Sequence, residues 1–179
     1  MKLFETLLIT LLAGGASAQV PESQFLLSSS KITYHVNYVL KSVEGTSEQA
    51  KGKGQCDQNN CEFLIAVPVK TFTSGDTNRD SHMLEVTKAA DHPMITVKFK
   101  VAKKDLVSNP LISPEINFAG KTHTYNQIKF ALTKEGSQNN FKGKLPLVLS
   151  DFNIERPTLL TVPIEDATPL DIETQWQAL

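Results

Sequence analysis

The stretch KITYHVNYVL, residues 31–40, alternates apolar and polar side chains with a period of two residues. Its apolar members fall on one face: Ile32, Tyr34, Val36, Tyr38 and Leu40. This period, in β-branched and aromatic residues, is typical of a strand with one buried face. The stretch therefore predicts a β-strand, preceded by a polar lead-in over residues 19–30.

The same period returns along most of the chain, in residues 61–70, 95–101, 116–118, 125–132, 141–149 and 170–176. A Gly-rich segment, 45–55, predicts a strand that bends, and residues 152–164 predict an apolar loop. No alternating βα rhythm is present, which disfavours parallel doubly wound sheets. About eight strands predict an all-β, mainly antiparallel barrel, which either holds one small ligand or fills itself with side chains. A two-sheet β-sandwich is the alternative architecture.

One segment departs from the strand period. Thr77 and Asp80 have the spacing of a capping box, and Met83, Val86 and Ala90 recur at helical spacing. We expect one short helix here, after the third strand and ending before residues 91–93.

Pro68 stands in the strand that precedes this helix and predicts a sheet edge or a bulge. Two interpretations of an unpaired edge stay open: protection by the proline, or pairing of two copies in a homodimer.

The N-terminus has the pattern of a secretory signal peptide. Lys2 is followed by an apolar run at 7–13 and by the small residues Ala16-Ser17-Ala18. We predict cleavage after Ala18, which leaves residues 19–179 as one exported, soluble domain; the alternative is an N-terminal amphipathic helix. The apolar run is far shorter than the ~20 residues that span a bilayer, so we do not expect a membrane-spanning chain.

Charge and motifs restrict the function classes. The formal net charge is −1, with both signs mixed, so no basic footprint for nucleic acid is present. The chain has no Gly-x-Ser-x-Gly elbow and no Gly-rich phosphate loop, and we assign no catalytic residue and no cofactor. Its four histidines, at 35, 82, 92 and 123, have no H-x₃-H or HExxH spacing, so we assign no metal ligands.

The two cysteines, Cys56 and Cys61, flank a four-residue segment with good turn chemistry. Their flanks predict strands, and a hairpin places the two side chains opposite each other, close to the spacing that a bridge needs. An oxidising compartment favours a disulfide, and two free thiols are the alternative.

The stretch TFTSGDTNRDSHML, residues 71–84, resembles the signature of the YceI-like family, in which a Ser/Thr-Gly turn precedes Arg-Asp-x-His-Leu at a helix start. Residues 92–99, HPMITVKF, resemble the next strand of that family, and residues 143–154 resemble its late segment. The resemblance implies a lipocalin-like antiparallel barrel with an elongated apolar tunnel. It also implies a long isoprenoid-type lipid or related amphiphile as ligand, and a periplasmic location.

Seven aromatic residues on alternating strands are the candidates for an apolar ligand-binding lining: Tyr34, Phe63, Phe99, Phe118, Phe130, Phe141 and Trp176. Alternation alone favours an ordinary packed core, and the family resemblance reverses that preference. Arg79 and His82 share a helix face and are candidates to hold a ligand head group. Structural roles are the alternative: Asp80 supports the helix start, Arg79 pairs with Asp76 or Asp80, and His82 bonds a loop carbonyl.

Together with the export signal, the resemblance implies a periplasmic, or secreted, binding or carrier protein that holds an amphiphilic lipid of isoprenoid or quinone type. A periplasmic enzyme or metal-dependent factor that uses the His82 region is the alternative. A structural or adaptor domain with a filled barrel is the third hypothesis.

Overall fold

The computed structural model describes residues 23–38, 41–159 and 161–179. The predicted signal peptide, 1–18, and residues 39–40 of the strand predicted over 31–40 lie outside these ranges. One α-helix, α1, covers Thr77–Val86. The strands are β1 Ser23–Tyr38, β2 Lys41–Ser47, β3 Lys51–Cys56, β4 Asn60–Pro68, β5 Met94–Ala102, β6 Leu111–Ile112, β7 Glu115–Phe118, β8 Lys121–Thr124, β9 Ile128–Glu135, β10 Gln138–Leu145, β11 Thr158–Leu159, β12 Val162–Pro163 and β13 Leu170–Ala178.

Eleven of these strands form one antiparallel sheet in the order β6-β9-β10-β13-β1-β3-β4-β5-β7-β8, with β2 also paired to β1. Only Ser113 and Pro114 separate β6 from β7 in the chain, although the two strands lie far apart in this order. The sheet must therefore curl strongly, and it forms a half-barrel. This confirms the predicted fold class, mostly antiparallel β with one helix. The strands outnumber the predicted eight because several have only two to four residues.

The long strand β1 organises the sheet. One edge pairs with β13, while the other pairs first with β3 and then with β2. The prediction of a lead-in over 19–30 was wrong, because β1 begins at Ser23. A register shift between Leu27 and Ser29 interrupts the alternation, and the serines around it carry no apolar signal.

The segment 45–55 contributes to two strands rather than one. Residues 48–50 break the pairing with β1, and Ala50 N donates to Ser30 Oγ at 3.2 Å. The helix therefore follows β4 rather than a third strand. The predicted loop at 152–164 likewise contains a small hairpin, β11–β12.

The N-cap of α1 lies one residue earlier than predicted, and the helix begins at Thr77, the residue expected to cap it. Asp76 is the N-cap, and its carboxylate accepts from Asn78 N and Arg79 N, both at 3.0 Å. The helix ends at Val86 rather than Ala90, and Lys88 then adopts a left-handed backbone with φ 54°.

Pro68 is not at a sheet edge. It is the last residue of β4, which pairs with β3 on one side and with β5 on the other, where Pro68 itself lies opposite Met94. Within the described residues, β4 is therefore paired on both sides. It does not offer the unpaired edge that the homodimer expectation required.

Cys56 and Cys61 are cross-strand partners at the turn between β3 and β4. Their Cα atoms are 4.0 Å apart, and the structure places the two cysteines as a pair. Asp57 closes the turn by accepting from Asn59 N and Asn60 N, both at 2.7 Å.

The core has two clusters, and both contact Met83 of α1. The first contains Trp176, which is 2% exposed, and the second contains Phe152, which is 0% exposed. Within the described residues, no helix combines the length and apolar character needed to cross a membrane.

Candidate functional site

Two apolar cavities lie within the curled sheet. The helix-side cavity, of about 130 Å³, lies between α1, the second half of β1 and the segment 147–168. The core-side cavity, of about 100 Å³, lies among β4, β5, β9, β10 and β13. Four side chains line both cavities: Phe72, Ile95, Leu147 and Leu170. The cavities therefore adjoin across these side chains.

A polar cluster lies at the start of α1, beside the helix-side cavity. We call Thr73, Ser74, Asp76, Arg79 and Asp80 the Ser74 cluster. Arg79 Nε donates to Ser74 Oγ at 2.8 Å, and Nη2 donates to Ser74 O at 2.9 Å. The carboxylate of Asp76 lies 4.0 Å from Arg79 Nη1. Arg79 is thus held in place by the turn, in agreement with the structural role considered for it.

Asp80 fastens the other side of this turn. Its carboxylate accepts from Ser74 N at 3.0 Å, from Thr73 Oγ1 at 3.0 Å and from Ser74 Oγ. Burial acts to raise the pKa of Asp80. The hydrogen bonds from Ser74 and Thr73 and the charge of Arg79 outweigh that effect, so the pKa lies below its ordinary value. The carboxylate therefore stays charged at neutral pH and compensates Arg79.

Tyr34 lies at the border between the Ser74 cluster and the apolar lining of the helix-side cavity. It is directly opposite Gly45 across the β1–β2 pair, and a Cβ at position 45 would clash with the phenol ring. Glycine at position 45 therefore leaves the space that the Tyr34 ring occupies. Burial, followed by the negative charge of Asp80, raises the pKa of Tyr34, so its hydroxyl stays protonated at neutral pH.

His82 also lines the helix-side cavity, but its side chain is 55% exposed. Nδ1 lies 3.4 Å from a Glu85 carboxylate oxygen one turn along the helix. The predicted bond to a loop carbonyl is not the contact that the structure shows.

The structure divides the predicted aromatic lining between the two cavities. Phe118 joins Tyr34 in the helix-side cavity. Four others line the core-side cavity: Phe99, Phe130, Phe141 and Trp176. Phe63 lines neither, because it packs behind them, stacked on Phe99 at 4.8 Å and edge-on to Trp176 at 5.1 Å.

Sequence reasoning missed the contribution of the segment between β10 and β13. It supplies six of the residues that line the helix-side cavity: Leu147, Leu149, Ile154, Pro157, Ile164 and Thr168. Leu147 and Leu149 continue the period predicted over 141–149, although β10 ends at Leu145. The other four have no strand period, so no local signal distinguishes them from an ordinary loop. Their long-range contacts alone bring them to the cavity.

Tyr125 holds this segment against the sheet. Its hydroxyl donates to Asp151 Oδ2 at 2.9 Å and accepts from Val148 N at 3.0 Å. Burial, with the Asp151 carboxylate acting in the same direction, raises the pKa of Tyr125 to about 12. The phenol therefore remains a hydrogen-bond donor throughout the ordinary pH range.

The histidines do not assemble into a metal site in the described part of the chain. No group of three or more His, Cys, Asp or Glu side chains is placed to hold a metal ion there. Three of the histidines instead have an acidic neighbour: Asp171 for His35, Glu85 for His82 and Asp151 for His123.

The geometry is thus a pair of adjoining apolar cavities, with a charge-compensated polar cluster beside the helix-side one. A model of the YceI-like domain matches residues 24–176. The chain belongs to the YceI-like family. The match covers the whole described half-barrel except its outermost residues, and it confirms the resemblance seen in residues 71–84 and 92–99.

Several solved structures share this fold at low sequence identity. BcnA from Burkholderia cenocepacia superposes with a TM-score of 0.70 at 17% identity, covering 82% of this chain and 95% of BcnA. A polyisoprenoid-binding domain from Saccharophagus degradans, implicated in plant cell wall breakdown, has a TM-score of 0.70 at 12% identity and covers 87% and 98%. The Campylobacter jejuni YceI protein has a TM-score of 0.62 at 15% identity and covers 78% and 86%. No curated protein matches the chain in sequence.

Proposed function

We propose that this YceI-like protein binds the apolar chain of an amphiphilic, isoprenoid-type lipid inside its half-barrel and acts as a carrier or sequestering protein. The observation that carries the proposal is the pair of adjoining cavities, which together offer an apolar lining. Burial of a hydrocarbon chain there gains about 25 cal/mol per Å² of apolar surface, so a long chain needs few polar contacts. The polyisoprenoid-binding relative from S. degradans supports the same ligand class.

We favour binding over catalysis for the polar residues at the helix. Arg79 and Asp80 are engaged with Ser74, and His82 is largely exposed beside Glu85. These contacts hold a turn at the end of the cavity, where a ligand enters or ends.

Tryptophan fluorescence and native mass spectrometry test the proposal. Trp176 is the single tryptophan of the chain, is 2% exposed and lines the core-side cavity, so a bound chain should change its emission. We expect purified protein to retain a lipid-sized mass or, once delipidated, to bind polyprenols saturably with one molecule per chain. Delipidated protein that shows no saturable response to polyprenols of any length, and no added mass, would contradict the proposal.

We further propose that the protein works in the periplasm after removal of residues 1–18, with Cys56 and Cys61 oxidised. The signal-peptide pattern and the opposed cysteines support this location. N-terminal sequencing of exported protein should find Gln19 first, and thiol titration of the unfolded, unreduced protein should find no free thiol. An intact Met1 would refute the export part, and two free thiols would refute the disulfide.

A further inference from the structure

One buried hydroxyl in the helix-side cavity has no protein partner. Thr168 is 5% exposed and lines this cavity, and its Oγ1 is the only buried side-chain nitrogen or oxygen in the described residues without a hydrogen bond. Its backbone is satisfied, because Thr168 N donates to Leu147 O at 2.8 Å. Buried polar groups are normally paired, so an unpaired hydroxyl in a cavity wall marks a place where a ligand atom can bond.

The basic groups that line the same cavity are already compensated. Arg79 is bonded to Ser74 and lies within the field of Asp76 and Asp80. His82 lies beside Glu85. An anionic head group would therefore find no unmatched positive charge among the lining residues.

The one other arginine close to this cavity is also engaged. Arg156 precedes the lining residue Pro157, donates to Ile164 O at 3.4 Å and lies near the charged Asp166. Its carboxylate neighbour offsets its charge in the same way.

We propose that the helix-side cavity selects amphiphiles with an uncharged hydroxyl or carbonyl group, which hydrogen-bonds to Thr168 Oγ1, over phosphorylated ones. This inference rests on the proposed binding of an apolar chain and adds the chemistry of its polar end. A hydroxyl such as that of Thr168 serves equally well as donor to a carbonyl or as partner to an alcohol.

Three probes that share a C15 isoprenoid skeleton test the inference: farnesol, the hydrocarbon farnesene and farnesyl phosphate. Affinities are measured on delipidated full chain by Trp176 fluorescence. We expect farnesol to bind about tenfold more tightly than farnesene, the gain from one net hydrogen bond in a buried site, and more tightly than farnesyl phosphate. This comparison uses the unaltered protein, so it does not depend on whether a variant folds.

Thr168→Val removes the hydroxyl at nearly constant shape. We expect it to weaken farnesol binding about tenfold, to leave farnesene binding unchanged and to leave the melting temperature undiminished. Thr168→Ser should keep the preference for farnesol. Thr133→Val, a matched change on the exposed face of β9, should change neither affinity.

Equal affinities for farnesol and farnesene, or a tighter complex with farnesyl phosphate, would overturn this inference while leaving the proposed function intact. Equal loss of farnesol and farnesene binding in Thr168→Val would also overturn it. If none of the three probes binds, this inference fails, and the titration with polyprenols of other lengths then decides the proposed function.

Discussion

Trp176 and Thr168 each place one polar side-chain atom in the apolar interior, and among the described residues only the Trp176 atom has a hydrogen-bond partner. The indole N–H of Trp176 donates to Thr174 Oγ1 at 3.1 Å, and both residues are buried. Thr168 Oγ1 has no such partner among the described residues. The same change, threonine to valine, should therefore lower the stability at position 174 but not at position 168. Only removal of the Thr174 hydroxyl leaves a buried donor without a partner.

Thr174→Val should therefore lower the free energy of unfolding by about 1–3 kcal/mol, because the indole N–H is left buried and unpaired. Urea unfolding followed by Trp176 fluorescence measures the loss. Thr174→Ser, which keeps the acceptor, is the control and should lose clearly less. A Thr174→Val protein as stable as the unaltered chain would show that this hydrogen bond contributes nothing net.

Asp80 gives a pH-dependent prediction. Its pKa is lowered in the folded protein, so its contribution to stability is fully present above the unfolded-state pKa of about 3.9 and is lost as the pH falls through the lower folded value. Asp80→Asn should cost about 1–2 kcal/mol at pH 7, since charged acceptors make the stronger hydrogen bonds, and the partial exposure of the side chain limits the loss.

The stability difference between Asp80→Asn and the unaltered protein should shrink on acidification below about pH 4. Chemical unfolding at several pH values measures it. A difference that stays constant down to pH 2.5 would contradict the assigned role of the carboxylate.

At the scale of elements, neighbouring strands repeatedly pair an aromatic residue with a glycine, and the aromatic ring lies over the glycine. Three aromatic residues lie directly opposite a glycine on the neighbouring strand: Tyr34 opposite Gly45, Phe63 opposite Gly54 and Phe130 opposite Gly143. In each pair a Cβ on the glycine would lie closer to the ring than Cβ atoms normally approach. The glycines thereby let large rings fold across the sheet, which is a known way to stabilise glycines in strands.

Gly143→Ala should destabilise the protein by about 1–3 kcal/mol, the usual cost of overpacking, because the added methyl meets the buried Phe130 ring at 2.5 Å. Thermal or urea unfolding checks the loss. In a Phe130→Leu background the same change should cost less, because the smaller side chain leaves room for the methyl. Equal costs in both backgrounds would mean that the ring is not the reason for the glycine.

At the scale of the whole molecule, the half-barrel joins two cavities through a shared wall. The shared side chains Phe72, Ile95, Leu147 and Leu170 come from separate parts of the chain. A bulkier side chain in this wall should divide the interior without removing either cavity. We therefore expect a substitution in this wall to lower the affinity for long ligands more than the affinity for short ones.

Ile95→Phe should weaken binding of a long polyprenol, such as a C40 chain, by at least about tenfold, because the chain can no longer pass between the cavities. Geraniol, with ten carbons, should keep its affinity within about twofold, since one cavity suffices for it. Trp176 fluorescence titration measures both affinities. Val107→Phe, a somewhat larger increase in size at a position that is 56% exposed, is the control and should alter neither. Equal weakening of both ligands would indicate general distortion rather than a divided channel.

The sequence by itself determined the class of fold and the family. The alternation at 31–40 and its repeats are local properties, because side chains two residues apart in a strand share a face. The turn and helix start at 71–84 are local as well, although the cap proved to be Asp76. For the same reason the alternation puts the aromatic candidates on the inner face of the sheet, although it does not show that Phe63 lies behind the cavity lining, stacked on Phe99.

The tertiary structure alone decided what the interior can do. The register of the strands set which glycine faces which ring, and a register cannot be derived from one strand. The segment 147–168 reaches the helix-side cavity only through long-range bonds, such as that from Tyr125 to Asp151. Thr168 is unremarkable in the sequence, and its unpaired hydroxyl exists because the folded chain buries it beside a cavity and supplies no partner among the described residues.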